Sequence, residues 1–296
     1  MNVIETHELG RRYGTTWALQ ECSLTIPAGH LTALVGPNGA GKTTLLNLVI
    51  GLSTPSAGNV TVLGDLRPGS LAALDGIGFV AQDVPVYRGF SVSDMVNLTK
   101  NLNRSMDVGY ARQRLGDLGI DPRKRAGQLS GGQRAQLALT LALARHPRLL
   151  VLDEPTAALD PLARHDFMAT VMAAMADDGV SVVLSSHLLA ELERVADHLV
   201  LMSGGRVSLY GAVDDLLAEH RLVTTRSGPV TKDPLWEVVE SSTAGAQTQQ
   251  LVRLRSPESL LASEHDARPV GIEELAMAYL RTSGRPVGRV LEGAHR

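Results

Sequence analysis

Cysteine is almost absent from this sequence, which has Cys22 as its single cysteine among 296 residues. One cysteine cannot close an internal disulfide, so a disulfide framework within the chain is excluded. This composition is typical of proteins from a reducing compartment, although it does not prove one. Cys22 itself is expected to fill a small space in the core.

Long apolar runs are also missing from the sequence. A helix that crosses a bilayer needs roughly 20 consecutive apolar residues. The best candidate windows are broken by charged residues and histidines, namely Arg145, His146 and Arg148 in one window and His187, Glu191 and Arg194 in the other. Glu5 and Glu8 lie where a secretory signal needs an apolar stretch. We therefore expect no membrane-spanning helix, no signal peptide and a mature chain that begins near Met1.

Positive charge is not in excess either. The chain has 28 Lys+Arg against 31 Asp+Glu, which gives a formal net charge of -3. Such a chain has no overall positive field to attract nucleic acid or anionic lipid, so no nucleic-acid partner is expected without a local patch. The basic cluster Arg123, Lys124 and Arg125 is a candidate patch, but we favour a solvated loop over a phosphate or lipid contact.

A glycine-rich segment near the N-terminus connects two apolar elements. Leu31–Val35 predicts a buried strand, and the run from about Lys42 to Leu52 predicts a helix. Between them, GPNGAGKT matches G-x-x-x-x-G-K-[ST], whose glycines let backbone N–H groups close around phosphate oxygens at a helix N-terminus. The candidate phosphate-binding residues are Gly36, Pro37, Asn38, Gly39, Ala40, Gly41, Lys42, Thr43 and Thr44. A tight connection without a ligand fits less well, because every fixed position of the motif is filled.

Two side chains of this segment suit a nucleoside triphosphate bound with magnesium. Lys42 is expected to reach the β and γ phosphates as a point charge. The Thr43 hydroxyl is expected to ligate a Mg²⁺ ion that bridges the same phosphate oxygens. The predicted ligand is therefore a nucleoside triphosphate with Mg²⁺.

Further along the chain, RLLVLDEP (Arg148–Pro155) predicts a buried parallel strand that ends in two carboxylates. Ligands bind at the carboxyl ends of strands in open α/β sheets. Asp153 is therefore expected to hold Mg²⁺ directly or through water, and Glu154 to orient or deprotonate the attacking water. The alternative is a strand whose end merely happens to be acidic.

A third apolar strand is predicted at Val180–Leu184, and His187 comes just beyond its end. A lone histidine is usually a solvated or core residue. The position of His187 after a third core strand favours a functional role instead.

The motif LSGGQ, Leu129–Gln133, lies between the phosphate loop and the acidic strand and opens an apolar helix. Here the sequence resembles the ABC ATPase family, of which this motif is the signature. Ser130 offers a hydroxyl, Gly131 and Gly132 expose backbone N–H groups at a helix N-terminus, and Gln133 completes the motif. The resemblance implies that two cassettes pack head to tail, with each ATP between one phosphate loop and the other subunit's signature.

The resemblance covers about residues 2 to 215 and implies roles for four further side chains. It implies that Tyr13 stacks on adenine and that Gln82 senses Mg²⁺ and the attacking water. It also implies that Asp160 communicates across the dimer interface and that His187 contacts the γ-phosphate. Tyr13 as a surface tyrosine near a hairpin and Gln82 as a polar loop residue are the alternatives.

The resemblance also implies a fold, the ABC ATPase fold. This is an α/β phosphate-loop NTPase core with a parallel sheet, an N-terminal antiparallel β subdomain and a helical signature subdomain. The patterns agree, because residues 1 to about 30 alternate as in strands, residues from about 88 to 145 look mostly helical, and HLVLMSGGRVSLYG predicts a hairpin around Gly204 and Gly205.

Past about residue 218 the pattern weakens. LWEVVE and QLVRLR predict two strands, and Gly271–Thr282 predicts a short amphipathic helix. We therefore divide the chain into a nucleotide-binding domain, residues 1–218, and an accessory region, residues 219–296, that forms a small C-terminal α+β lobe.

The function implied is that of the ATP-hydrolysing subunit of an ABC transporter, a homodimer or heterodimer of cassettes that powers a separate integral membrane permease. It would work on the cytoplasmic face of the membrane, held there by the permease. Asp83–Phe90 is expected to contact the permease, with a bland exposed loop as the alternative. The resemblance of the tail to those of export systems favours export over import.

Two rival functions are weighed against this one. A soluble ABC ATPase of DNA repair would carry long coiled-coil insertions, and no sustained heptads lie between Lys42 and Asp153. Translation factors of the family usually hold two cassettes in one chain, whereas this chain has one. The other rival is a nucleotide-sensing protein that does not hydrolyse ATP, against which the intact Glu154 and His187 argue.

Overall fold

The computed structural model describes residues 1–83, 86–103, 105–187, 189–225, 236–245, 247–255 and 266–282. The chain divides into two compact units. The first unit comprises Met1–Thr32 and Lys42–Ser186. The second comprises Ala33–Gly41 and the described part of His187–Arg296.

An antiparallel three-stranded sheet lies at the N-terminus of the first unit. Its strands are β1 (Asn2–Tyr13), β2 (Thr16–Pro27) and β4 (Ala57–Val62), in the order β2-β1-β4. The alternating apolar residues point into the core, where Leu9 and Leu19 are fully buried. The antiparallel sheet predicted for residues 1 to about 30 is confirmed, with β4 as an added strand.

The central sheet has six strands, in the order β5-β6-β7-β3-β8-β9. Its strands are β3 (Leu31–Val35), β5 (Ile77–Val80), β6 (Leu149–Asp153), β7 (Ser181–Ser186), β8 (His198–Ser203) and β9 (Arg206–Ala212). The pairs β5–β6 and β6–β7 are parallel, and β8–β9 is antiparallel. All residues of β3, β6 and β7 are buried, which explains the apolar stretch that each of these strands contains.

The helices of the first unit are α1 (Lys42–Val49), α2 (Leu71–Gly76), α3 (Val92–Leu102), α4 (Val108–Asp117), α5 (Gly131–Leu143) and α6 (Pro161–Asp178). A short 3₁₀ turn, Ala126–Gln128, precedes α5. Helices α3, α4 and α5 pack around one apolar cluster that includes Val96, Leu115 and Leu137. The predicted helical segment from about 88 to 145 is thus confirmed, and it ends in the signature helix α5.

The predicted boundaries need small corrections. Strand β3 has its predicted limits, but α1 ends at Val49 rather than near Leu52. The helix stops because Gly51 adopts a φ of 80°, and a Cβ at this glycine would lie 2.3 Å from the backbone nitrogen of Gly69. Strand β7 is shifted, since it runs over Ser181–Ser186 where Val180–Leu184 was predicted.

The second unit contains the β8–β9 hairpin, whose turn at Gly204 and Gly205 is confirmed with positive φ at both glycines. It continues with α7 (Leu189–Leu192), α8 (Val213–Glu219), β10 (His220–Thr225), β11 (Trp236–Ala244), β12 (Gln247–Leu254), β13 (Asp266–Pro269) and α9 (Ile272–Thr282). The last four strands form an antiparallel sheet in the order β11-β12-β10-β13. The predicted strands β11 and β12 and the predicted helix α9 are confirmed, and β10 and β13 are additions. Within the described residues, no helix is long and apolar enough to span a bilayer.

Candidate nucleotide site

The glycines of the phosphate loop, Gly36–Gly41, are required by its backbone. A Cβ at Gly36 would lie 2.3 Å from the carbonyl oxygen of Met202, closer than any side chain could come. Gly39 and Gly41 have φ of 80° and 101°, in the region that favours glycine. The loop therefore follows β3 closely and turns so that α1 begins directly after it, at Lys42.

Backbone hydrogen bonds hold the loop in shape. The Ala40 N–H donates to the Pro37 carbonyl at 3.1 Å, and the Gly205 N–H donates to the Ala40 carbonyl at 3.2 Å. The β8–β9 turn therefore anchors the loop from outside the motif. A loop fixed in this way can present backbone N–H groups to an anion at the helix N-terminus.

Lys42 and Glu154 form a nearly buried ion pair. The Lys42 Nζ lies 3.2 Å from the Glu154 Oε1, and the two side chains are only 5% and 10% exposed. A buried ammonium is costly unless an opposite charge lies close to it. The structure thus brings together two residues that the sequence predicted for the same site.

Asp153 lies at the end of β6 and is 3% exposed. Its Oδ1 accepts a hydrogen bond of 2.6 Å from the Oγ of Ser185. The same Oγ accepts a hydrogen bond of 2.8 Å from the Glu154 N–H. Ser185 was not predicted as a site residue. Its position as a polar residue at the end of an apolar strand, shortly before His187, could have indicated it.

Gln82 and His187 follow the ends of two other strands. Val80, the last residue of β5, pairs with Leu152 in parallel register, so Gln82 lies beyond the same edge of the sheet as Asp153. Its side chain is exposed. His187 comes directly after β7 and is also exposed. Both side chains are therefore accessible to a ligand.

The predicted metal ligands fit magnesium. Asp153, Thr43 and Gln82 offer carboxylate, hydroxyl and amide oxygens, which are the donors that Mg²⁺ prefers. Thr43 is exposed in the first turn of α1. Among the described residues, no cluster of three or more His, Cys, Asp or Glu could hold a metal ion. A Mg²⁺ site needs no such cluster, because it usually uses one or two carboxylates, waters and the phosphates of the substrate.

Tyr13, the last residue of β1, is about half exposed. The Arg11 guanidinium lies 4.7 Å from the centre of its ring. Hydrogen bonds with Ser53 and Arg11, and a smaller one with Thr44, lower the pKa of the Tyr13 hydroxyl. The hydroxyl therefore interacts chiefly with Ser53 and Arg11, and the exposed ring can serve as a stacking surface for a base. Arg11 was not predicted, because its role depends on the contact of its guanidinium with the Tyr13 ring.

The signature residues cap α5. Ser130 is the N-cap, and its Oγ accepts a hydrogen bond of 3.1 Å from the Gln133 N–H. In return, the Gln133 Oε1 accepts one of 3.2 Å from the Ser130 N–H. A Cβ at Gly132 would lie 2.8 Å from the Ala163 Cβ, whereas Gly131 has room. This reciprocal cap leaves Ser130 and Gly131 exposed at the positive end of the helix.

Asp160 is the N-cap of α6, where its Oδ1 accepts a hydrogen bond of 2.9 Å from the Ala163 N–H. The residue is exposed. Asp160 therefore has a local structural role in this chain. Its role at a dimer interface stays a prediction.

The sequence and the fold of this chain are both similar to those of known proteins of one family. The family model described as "ABC transporter" matches residues 19–157, and a shorter match to an AAA domain model covers residues 125–193. The chain is 36% identical over 231 residues to the Fe(3+) ions import ATP-binding protein FbpC of Pseudomonas fluorescens. The aligned residues make up 75% of this chain and 64% of that protein. It therefore spans a little under two thirds of the length of that relative.

A second relative is the Nod factor export ATP-binding protein I of Rhizobium etli, 32% identical over 225 residues, which cover 74% of this chain and 71% of that protein. Solved structures agree. An ATP-binding subunit of an ABC transporter superposes with a TM-score of 0.65 and 26% identity, covering 72% of this chain and 91% of that one. CbiO1 of Clostridium perfringens, part of the ABC transporter complex CbiONQ, superposes with a TM-score of 0.64 and 28% identity. The superposition covers 74% of this chain and 91% of CbiO1. The predicted ABC ATPase fold is thus confirmed, and the chain belongs to the family of ABC transporter ATP-binding proteins.

Proposed function

We propose that this chain binds ATP with Mg²⁺ and hydrolyses it as the ATP-binding subunit of an ABC transporter. The observation that carries the proposal is the ion pair between Lys42 and Glu154, 3.2 Å long and nearly buried, beside the buried carboxylate of Asp153. A phosphate-binding lysine, a metal-binding carboxylate and a second carboxylate at one place are the parts that phosphoryl transfer to water requires.

Each residue has a defined task in this proposal. Backbone N–H groups of Gly36–Gly41 and the Lys42 ammonium hold the β and γ phosphates. Asp153, Thr43 and Gln82 hold Mg²⁺, which neutralises developing charge on the phosphate oxygens. Glu154 orients the attacking water and accepts its proton. His187 turns from the end of β7 to contact the γ-phosphate, and Tyr13 stacks on the adenine.

The active unit that we propose is a dimer of cassettes, either homodimeric or heterodimeric. The exposed N-terminus of α5, with Ser130, Gly131, Gly132 and Gln133, is an anion site that serves the nucleotide held by the partner cassette. Asp160, exposed at the start of α6, lies on the same interface in this proposal. ATP would then close the dimer, because its affinity for the closed state exceeds that for the open one.

The proposed partner is an integral membrane permease on a separate chain, which places this subunit at the cytoplasmic face of the membrane. Tyr87 and Phe90 support Asp83–Phe90 as the contact, since both are exposed and their rings lie 5.3 Å apart. An exposed aromatic pair is suited to docking an apolar helix. Residues 84 and 85 lie outside the described residues.

Two finer points belong to the proposal as well. We take export as the direction of transport, on the resemblance of the C-terminal tail, while the relatives above comprise both an import and an export protein. We also place the end of the nucleotide-binding domain at residue 218. The antiparallel sheet that begins with β10 at His220 supports this boundary, because it shares no strand with the central sheet among the described residues.

Substitution of Lys42 by alanine tests the proposal directly. The Lys42→Ala variant should lose Mg²⁺-dependent ATP turnover by at least about 100-fold, because the charge that binds the transferred phosphoryl group is gone. Phosphate release and binding of a fluorescent ATP analogue are the measurements. Lys100→Ala, at an exposed lysine of α3, is the control and should behave as wild type. Turnover in Lys42→Ala equal to that of Lys100→Ala would contradict the proposed site.

A further inference from the structure

Ser185 is a fully buried serine that no motif of the sequence accounts for. It is the penultimate residue of β7, in the run LSSH, and it pairs with Asp153 in the parallel β6–β7 register. Paired residues on neighbouring strands project their side chains to the same face of a sheet. The register therefore puts the Ser185 hydroxyl beside the Asp153 carboxylate.

The hydroxyl of Ser185 makes two hydrogen bonds of opposite sense. It donates to the Asp153 Oδ1 at 2.6 Å and accepts from the Glu154 N–H at 2.8 Å. A serine hydroxyl has one proton, so donation to the charged carboxylate fixes its direction and turns a lone pair toward the N–H. The buried Ser185 Oγ thus links the Asp153 side chain to the Glu154 backbone.

The backbone at Glu154 needs such an anchor. Its φ is 44°, a left-handed conformation that is uncommon for a residue with a long side chain. This turn directs the Glu154 carboxylate to the Lys42 ammonium, 3.2 Å away. The hydrogen bond from the Glu154 N–H to Ser185 stabilises the residue in this conformation.

We propose that Ser185 is a positioning residue of the ATPase site, whose hydroxyl orients Asp153 toward the metal and holds the turn that aims Glu154. The inference rests on the roles proposed above for these two acids. Hydrogen-bond partners of metal ligands have effects of this kind elsewhere, because they fix the orientation of the ligand.

The same strand supplies a matched control. Ser181, also buried in β7, accepts a hydrogen bond of 2.8 Å from the Gly29 N–H through its Oγ. Ser181→Ala and Ser185→Ala each remove one buried hydroxyl that accepts from a backbone N–H. A purely structural role for Ser185 predicts the same effect in both variants, namely a lower melting temperature without a change in metal dependence.

The test compares nucleotide affinity with Mg²⁺ and with a chelator, using a fluorescent ATP analogue. Ser185→Ala should lose about 10- to 100-fold in the affinity gained from Mg²⁺ and should need more Mg²⁺ for half-maximal turnover. Affinity in the chelator should stay near wild type, because Lys42 and the phosphate loop are intact. Ser181→Ala should keep the wild-type response to Mg²⁺, and Ser185→Thr, which retains the hydroxyl, should restore most of it.

Equal responses to Mg²⁺ in Ser185→Ala and Ser181→Ala would overturn the inference. If Ser185→Ala does not fold, Ser185→Cys replaces it, since a thiol of similar size is only a weak donor. A wild-type response to Mg²⁺ in Ser185→Cys would then overturn the inference as well. Failure of the proposed function has a different signature, because wild-type protein itself would show no Mg²⁺-dependent turnover.

Discussion

Among single residues, the pairing of Lys42 with Glu154 sets the electrostatics of the candidate site. Both side chains are nearly out of contact with water, so the opposite charge close by stabilises each of them. A phosphate group that binds Lys42 must therefore compete with a carboxylate that belongs to the chain. Removing the charge of Glu154 removes this competitor and, in the proposed mechanism, also the group that orients water.

Replacement of Glu154 by glutamine should therefore separate binding from turnover. Turnover should fall by about 10²- to 10⁴-fold, the usual contribution of a positioned general base. Affinity for ATP should be equal to that of wild type or higher. Equilibrium binding of an ATP analogue and phosphate release measure the two quantities.

The exposed glutamate Glu273, in the first turn of α9, provides the control for this substitution. Glu273→Gln should bind and hydrolyse ATP as wild type does. Wild-type turnover in Glu154→Gln would show that another residue places the water.

Sequence predicted Lys42, Asp153 and Glu154 because each belongs to a contiguous motif with a chemical task. It did not predict Ser185 or Arg11, whose roles arise from contacts between distant parts of the chain. Ser185 meets Asp153 only through the register of β6 and β7. Arg11 meets the Tyr13 ring because its guanidinium is held by the Thr54 carbonyl at 2.7 Å. Neither register nor side-chain direction can be read from residue types alone.

At the scale of elements, two helices of the first unit begin with the same device. Helix α5 is capped by Ser130 and Gln133, and helix α3 by Ser91 and Asp94, each pair as a reciprocal capping box. The caps therefore contribute similarly to stability. Their chemical tasks differ, because only Ser130 belongs to the proposed anion site.

Alanine at these two caps should distinguish folding from function. Ser130→Ala and Ser91→Ala should each lower the free energy of unfolding by about 0.5–2 kcal/mol, the usual value of an N-cap serine. Only Ser130→Ala should also lose ATP turnover and ATP-dependent dimerisation, because only it removes a hydroxyl from the interface. Chemical denaturation, phosphate release and sedimentation velocity are the measurements. Equal losses of turnover in both variants would argue that Ser130 acts through helix stability.

Elements with strong local signals were predicted well. Strands β3 and β6 are continuous apolar runs, and α5 and α9 have helical periodicity together with favourable first turns. The end of α1 was placed too late, because the stop at Gly51 depends on its close approach to Gly69. Strands β10 and β13 were missed because their stability comes from pairing, of β10 with β12 and of β13 with β10.

At the scale of the whole molecule, the second unit contains a buried polar pair that makes its stability depend on pH. The His220 Nδ1–H donates to the Leu216 carbonyl at 2.7 Å, and the Nε2 accepts from the Tyr279 hydroxyl at 2.9 Å. Burial lowers the pKa of His220 from its ordinary value of 6.5. Burial also raises the pKa of Tyr279 to about 12. The fold therefore favours the neutral form of both groups.

Acidification should weaken this unit. Since the folded pKa of His220 lies below 6.5, the unfolded chain takes up the proton first as the pH falls. The stabilisation is fully present above 6.5 and is lost as the pH falls from there through the lowered folded pKa. Melting temperatures measured between about pH 7.5 and about pH 5.5 should decrease, and less so in His220→Gln.

The exposed His165 of α6 supplies the control for this pH dependence. His165→Gln should keep the wild-type decrease in melting temperature on acidification. An unchanged pH dependence in His220→Gln would show that other groups govern the acid response.

The architecture of the motif-bearing part of the chain could be predicted because the motifs occur in the order that the ABC ATPase fold requires. The arrangement of the C-terminal strands could not, since it follows from pairings between segments far apart in the chain. The region beyond residue 218 has no motif with a chemical task, and resemblance supplied less guidance there.

The ion pair between Lys42 and Glu154 also bears on the order in which nucleotide binding and the activation of water occur at the proposed site. In the proposed mechanism the Glu154 carboxylate has two tasks, which are to balance the charge of Lys42 and to place the water. In that mechanism, phosphate oxygens bound to the Lys42 ammonium take over part of its charge balance, so we expect the Glu154 carboxylate to act on water more readily once nucleotide is bound. We therefore expect a subunit without nucleotide to hold Glu154 against Lys42, and the binding of nucleotide to prepare the base that takes part in its hydrolysis.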